Sequence, residues 1–125
     1  MTMLHHVSFG VADLQAAAAF YDAALGALGY RRVYEHPTAI GYGVEDGKDK
    51  LLLKLVPKAH APGPGFHIAF AAPSQQAVNE FHAQALAAGG SDNGAPGLRP
   101  HYGQNYYAAF VIDPDGHHVE AVINE

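Results

Sequence analysis

The sequence predicts an α+β fold built from two tandem β-α-β-β-β modules whose strands curl around a cavity. The first observation behind it is a repeat. The run His6-Val7-Ser8-Phe9-Gly10-Val11, followed by Phe20-Tyr21 and Gly29, recurs 61 positions later as His67-Ile68-Ala69-Phe70-Ala71-Ala72, followed by Phe81-His82 and Gly90. The same offset aligns Leu25 with Leu86, so a strand and the helix after it were copied together. The second observation is the period-two alternation of the repeated strands, which gives way each time to an Ala-rich helical stretch. The third is size. A chain of 125 residues, 49% hydrophobic and 15% charged, can bury one sizeable core, so one domain over residues 1–125 is expected, with module one at 1–56, a linker at 57–65 and module two at 66–125.

In module one Val7, Phe9 and Val11 alternate with His6, Ser8 and Gly10, the signature of a strand with one buried face. Asp13 stands where its carboxylate can cap a helix over residues 14–28, which Gly29 stops. Strand patterns follow at residues 31–34, 40–44 and 50–56, separated by His36-Pro37 and Glu45-Asp46-Gly47. The linker holds three prolines and two glycines. Module two repeats the order, with a strand at 67–72, a Ser74-capped helix to residue 88 and a stop at Gly89-Gly90. Residues 91–105 read as a glycine- and proline-bearing loop, with any second strand confined to 91–94. Residues 106–112 and 117–123 are strands joined by the tight turn Asp113-Pro114-Asp115-Gly116.

Composition removes several functions. A formal net charge of −5, with seven Lys and Arg scattered along the chain, leaves no basic patch for nucleic acid or an anionic membrane. Zero cysteines exclude disulfides, thiolate metal sites and a cysteine nucleophile, and fit a reducing compartment. No segment has the ~18 apolar residues of a membrane span, and residues 1–4 lead into a strand pattern without a signal peptide. A soluble, cytoplasmic protein that binds a small molecule is expected.

Strand parity then sorts the polar side chains. With Val7, Phe9 and Val11 under the helix, His6 faces the helix-free side and His5 the opposite one; His67 and, on the last strand, Glu120 share that helix-free side. Two histidines and one carboxylate form the donor set that holds a divalent first-row metal while leaving coordination positions open to substrate. As alternatives, His6 is a strand-end histidine, His67 a core histidine bonded to backbone, and Glu120 a solvated strand residue. His118 shares the face of Glu120 and is a candidate supporting or substitute ligand, His117 flanks the turn, and His36, His60 and His82 read as surface residues.

The opening Leu4-His5-His6-Val7 with Asp13-Leu14 and Phe20-Tyr21, the strand Phe66-His67-Ile68-Ala69-Phe70 and the closing Asp113-Pro114-Asp115-Gly116-His117-His118-Val119-Glu120 resemble the vicinal oxygen chelate superfamily over nearly the whole chain. That superfamily groups glyoxalase I, fosfomycin-resistance proteins, bleomycin-binding proteins and extradiol dioxygenases. The resemblance implies metal ligands at His6, His67 and Glu120, a homodimer with two equivalent sites, and a site shared between chains. Glyoxalase I adds a glutamate in the last strand of module one, a place this reading gives to Lys54. A protonated lysine cannot ligate, so three ligands are expected and not four.

Lys54 is then either a cavity cation that recognises a substrate anion or a rim lysine with its ammonium in water. The segment from Arg99 through His101, Tyr102 and Tyr107 offers a cation, a titratable ring and phenols, suited to a substrate pocket or a dimer interface. The leading expectation is a small glyoxalase-like enzyme of lyase, isomerase or dioxygenase type, using Fe, Co, Ni, Zn or Mn to chelate an oxygen-rich substrate. The alternative is a metal-free small-molecule binding protein of the bleomycin-resistance type.

Overall fold

The structure is a computed structural model that describes residues 3–125; Met1 and Thr2, part of the expected leaderless start, lie outside the described residues. Its elements run β1 (Val7–Val11), α1 (Leu14–Gly26), β2 (Arg31–His36), β3 (Ala39–Gly43), β4 (Leu51–Leu55), β5 (His67–Ala71), α2 (Gln75–Ala87), β6 (Ser91–Leu98), β7 (Tyr106–Ile112) and β8 (His118–Asn124). This is β-α-β-β-β twice. Each module closes into a four-stranded mixed sheet, β1-β4-β3-β2 in one and β5-β8-β7-β6 in the other. In each, the first strand runs parallel to the last and the remaining pairings are antiparallel. Both sheets are curled and unclosed, and no helix among the described residues is long and apolar enough to cross a membrane.

The helices form for local reasons. Asp13 Oδ1 accepts from Ala16 N–H and Ser74 Oγ from Ala77 N–H, each satisfying a donor that has no partner inside its helix. Ala17, Phe20 and Ala24 of α1 and their counterparts Val78, Phe81 and Ala85 of α2 lie on the buried stripes. The two helices pack on each other and each covers one face of its sheet, enclosing Val11, Leu51 and Leu53 on one side and Val111, Val119 and Ala121 on the other. Burial of an aromatic such as Phe20 or Phe81 contributes about 2–3 kcal/mol. The repeat is not perfect. Leu25 is buried, whereas Leu86, which the offset aligns with it, is 37% exposed.

One element departs from expectation. β6 is eight residues long and reaches Leu98, where the composition of Gly94, Pro96 and Gly97 suggests a loop. Its pairing with β7 shifts register twice, between Asp92 and Gly94 and between Gly94 and Gly97. Bulges of this kind accommodate residues that a regular ladder rejects.

The modules are joined through the turn between β7 and β8. Asp113 is buried and accepts four hydrogen bonds: from Tyr21 O–H of α1 (2.6 Å), His117 Nδ1 (2.9 Å), His117 N–H (2.8 Å) and Asp115 N–H (2.9 Å). The buried His117 ring stacks on Phe9 of β1 with centroids 4.0 Å apart, and Asp115 Oδ1 accepts from Ala12 N–H. His117, expected merely to flank a turn, is therefore part of the joint between modules. On the opposite side Tyr30 O–H donates to Ala71 C=O at 2.7 Å.

Candidate functional site

The faces that the helices leave free are set by strand parity. On module two, register places His67 beside His118, Ala69 beside Glu120, and Glu120 beside Phe110. Ile68 and Phe70 turn to the core, so His67 points away from it. His67 Nε2 lies 3.0 Å from Glu120 Oε1, with the histidine side chain 55% exposed and the glutamate 1% exposed. The other carboxylate oxygen, Oε2, accepts from Tyr106 O–H at 2.5 Å. Burial, and after it the bond to Glu120, push the Tyr106 phenol up to about 12, so it remains a donor at neutral pH. His118 turns to Asn93, 3.4 Å away.

His6 stands elsewhere. It is exposed just ahead of β1, and its Nδ1 lies 2.8 Å from His5 Nδ1, with the two rings edge to face. His5 thus does not face away from it. Both residues precede the first paired residue of the strand, where parity no longer fixes direction. Among the described residues no three metal-ligating side chains converge within the chain.

Register corrects the place given to Lys54. Ser8 pairs with Leu52 in module one as Ala69, its copy, pairs with Glu120 in module two, so the counterpart of Glu120 is Leu52. Lys54 pairs with Gly10 and Ala39, one step further along the same face, and is exposed. An aliphatic side chain ligates no metal in any protonation state, so the fourth-ligand position is closed.

The segment before β7 divides. Arg99, His101 and Tyr102 line an open depression of about 290 Å³ together with Asn93, Gly94 and Phe110. Tyr102 packs edge-on against Tyr106 at 5.3 Å, the residue whose hydroxyl bonds Glu120, so one aromatic contact links the wall of the depression to that carboxylate's partner. Tyr107 is on the other face: its hydroxyl donates to Asn79 of α2 at 2.6 Å and its ring packs on the core, so it does not line the site. Tyr106 occupies the role that sequence reading gave its neighbour, and parity with Phe110 was the available signal. His82, read as a surface residue, joins α2 to β6 through Asp92 at 2.8 Å, with its side chain 14% exposed.

The spacing of the pair on module two is that of a direct hydrogen bond and is also compatible with two donors of one ion. Two donors each about 2.1 Å from one ion and at a right angle to it lie about 3.0 Å apart. His67 Nε2 and Glu120 Oε1 stand at that separation, nitrogen and carboxylate oxygen, with Tyr106 fixing the carboxylate from behind. They fit two of the three protein ligands of an open site.

The family description "Glyoxalase/Bleomycin resistance protein/Dioxygenase superfamily" matches residues 3–121. A glyoxalase/bleomycin resistance protein from Albidiferax ferrireducens is 32% identical, with a TM-score of 0.82 over 97% of this chain and 98% of that one. In fold the chain is also similar to a glyoxalase-related enzyme from Fulvimarina pelagi (23% identity, TM-score 0.75, 99% and 89% covered). The same holds for a lactoylglutathione lyase from Agrobacterium tumefaciens (23% identity, TM-score 0.66, 98% and 93% covered). No protein of curated function matches. With the duplicated β-α-β-β-β architecture and a family match across almost its entire length, the chain belongs to the glyoxalase/bleomycin resistance/dioxygenase superfamily.

Proposed function

We propose that the chain is a small glyoxalase-like, metal-dependent enzyme of lyase, isomerase or dioxygenase type, working as a cytoplasmic homodimer on an oxygen-rich small molecule. The observation that carries the reading is the His67–Glu120 pair, 3.0 Å apart on the free face of module two, while His6 stays apart from it. His67 and Glu120 of one copy and His6 of a second copy would complete a two-histidine, one-carboxylate site for Fe, Co, Ni, Zn or Mn. A divalent ion held there supplies a Lewis acid for neighbouring substrate oxygens. The chain's own residues do the positioning. Tyr106 holds Glu120 in place beside the His67 ring, and the Phe110 face and the Tyr102–Tyr106 pair give a planar substrate apolar walls.

Titration of untagged protein with each metal tests this. The expected result is one equivalent per chain, lost in His67→Ala and in Glu120→Gln; wild-type protein that takes up no metal overturns it. Sharing is tested by exchanging subunits of His6→Ala and Glu120→Gln proteins. A heterodimer with shared sites regains one intact site of two, whereas sites built within one chain regain none.

A second reading, a metal-free binding protein of the bleomycin-resistance type, is favoured by one observation. Both oxygens of Glu120 are already engaged by His67 and Tyr106, so the network is satisfied without an ion. Ligand binding that persists in His67→Ala, in a wild type that takes up no metal, would establish that reading.

A further inference from the structure

The chain has three arginines, and two are neutralised: Arg31 by Asp46, and Arg32 by Asp22 and Glu35. Arg99 has no carboxylate within ion-pair distance among the described residues, in a protein whose net charge is −5. It is nonetheless held in place. Its Nη1 donates to Gly97 C=O at 2.8 Å and its Nη2 to Ala95 C=O at 2.7 Å, and its guanidinium carbon lies 5.3 Å from the centre of the Phe110 ring.

β6 is shaped around this group. Its two register shifts fall at Gly94 and Gly97. A Cβ at Gly94 would stand 3.0 Å from Phe110 Cδ1 and 3.3 Å from Arg99 Nη2, and one at Gly97 would stand 3.3 Å from Arg99 Nη1. Gly94 also adopts φ of +148°, which a side chain disfavours. The glycines that make β6 resemble a loop in sequence are therefore the space in which the guanidinium lies.

Two carbonyls occupy two of the five guanidinium N–H donors, leaving three for a ligand. The carboxylate nearest in register, Glu120, is engaged by His67 and Tyr106. The acid in β6, Asp92, bonds His82 and Gly94 N–H. The result is a fixed, uncompensated cation in a depression walled by Phe110, His101 and Tyr102, the last of which touches Tyr106, the partner of Glu120.

We propose that Arg99 is an anion seat, and that the ligand of this depression is a small carboxylic acid with a planar apolar body. Its carboxylate pairs with the free edge of the guanidinium while its ring packs against Phe110 and Tyr102. The seat deepens the reading above by naming the substrate class of that site, and its test is independent of any metal.

The experiment is a calorimetric and NMR titration of metal-free protein with benzoate and with benzamide, its uncharged counterpart. The expected result is a preference for benzoate of about tenfold, the yield of a charge-assisted hydrogen bond, with the Arg99 Nε–H resonance shifting in step. Gly97→Ala, which crowds Nη1 without forcing the backbone, reduces the preference several-fold, and Arg99→Gln abolishes it. His67→Ala and Glu120→Gln keep it, so loss of metal binding and loss of the seat are distinguishable. Equal binding of the two probes by the wild type overturns the proposal, as does a benzoate preference that survives in folded Arg99→Gln protein. A wild type in which benzoate leaves the Arg99 resonance unmoved also overturns it.

Discussion

Phe20 and Phe81 are copies of one residue, both fully buried, whereas Leu52 and Glu120 occupy copies of one position and have opposite chemistry. The contrast holds across the two modules. Beneath the helices Ala17, Phe20 and Ala24 of α1 and their copies Val78, Phe81 and Ala85 of α2 are all apolar and buried, because a stripe that faces its sheet admits only apolar side chains. On the free faces even the placement of the aromatic is reversed. Module one sets Tyr34 of β2 opposite Gly41 of β3, while module two sets Gly94 of β6 opposite Phe110 of β7. Module two thus holds the carboxylate, the phenol and the fixed cation. Duplication supplied two similar scaffolds, and the divergence that bears on chemistry is concentrated on the faces the helices leave free.

The turns diverge as well, and they set the largest expected effect. Residues 45–49 of module one are mostly exposed, whereas Asp113 in module two is buried under four hydrogen bonds that reach into module one. Asp113→Ala leaves the buried Tyr21 hydroxyl and the His117 ring without their partner, and is expected to cost about 3–5 kcal/mol in denaturant unfolding. Asp46→Ala, in the exposed turn, should cost under about 0.5 kcal/mol. The pH dependence follows from the same carboxylate. Burial works to raise its pKa, but the hydrogen bonds from His117 and Tyr21 outweigh burial and hold it below the usual carboxylate value. Its contribution is therefore complete above about pH 5 and lost as pH falls through the folded value. Asp113→Asn should flatten the acid limb of a stability–pH curve; an unchanged limb would assign acid sensitivity to other carboxylates.

How much of this was legible in sequence depended on what kind of fact each residue carries. The repeat offset located both strand–helix units, and alternation gave the face of His67, Glu120 and Phe70, because a period of two is a local property. Position along a strand is not local. Lys54 and Leu52 share a face, and only the parallel pairing of β4 with β1 shows which of them copies Glu120. β6 was hidden because Gly94, Pro96 and Gly97 are read as turn formers, while their spacing serves the Arg99 side chain. His117 was hidden because a tight turn reads as exposed, and its burial comes from a stack on Phe9, more than a hundred residues earlier in the chain.

A second experiment sharpens the comparison by making module one resemble module two. Leu52→Glu places a carboxylate at the copy of Glu120, on the face of Ser8, two residues after His6, and is expected to tighten metal binding about tenfold or more by adding a ligand. Lys54→Glu, one step along the strand, should leave metal affinity within about twofold, since it stands beside Gly10 and Ala39 rather than Ser8 and Gly41. Competition against a chromophoric chelator measures both. Equal effects of the two variants would mean that the strand register does not govern where ligands converge.

The smallest expected effect belongs to Tyr106. Counting along β7 from Phe110, and along β3 from its counterpart Gly41, the place of Tyr106 falls at Pro37 in module one, where no phenol is available. Tyr106 is thus a positioning residue peculiar to module two, acting on Glu120 through one hydrogen bond. Tyr106→Phe keeps the ring that packs on Tyr102 and removes only the hydroxyl, so the fold should lose about 1 kcal/mol. Metal affinity, which depends on how firmly the carboxylate is oriented, should fall about tenfold. The two readouts separate a positioning role from a structural one. If unfolding free energy drops while metal affinity is unchanged, Tyr106 merely satisfies a buried carboxylate; if affinity drops in Tyr106→Phe but not in the Tyr107→Phe control on the opposite face, the hydroxyl is what aims Glu120 at the site.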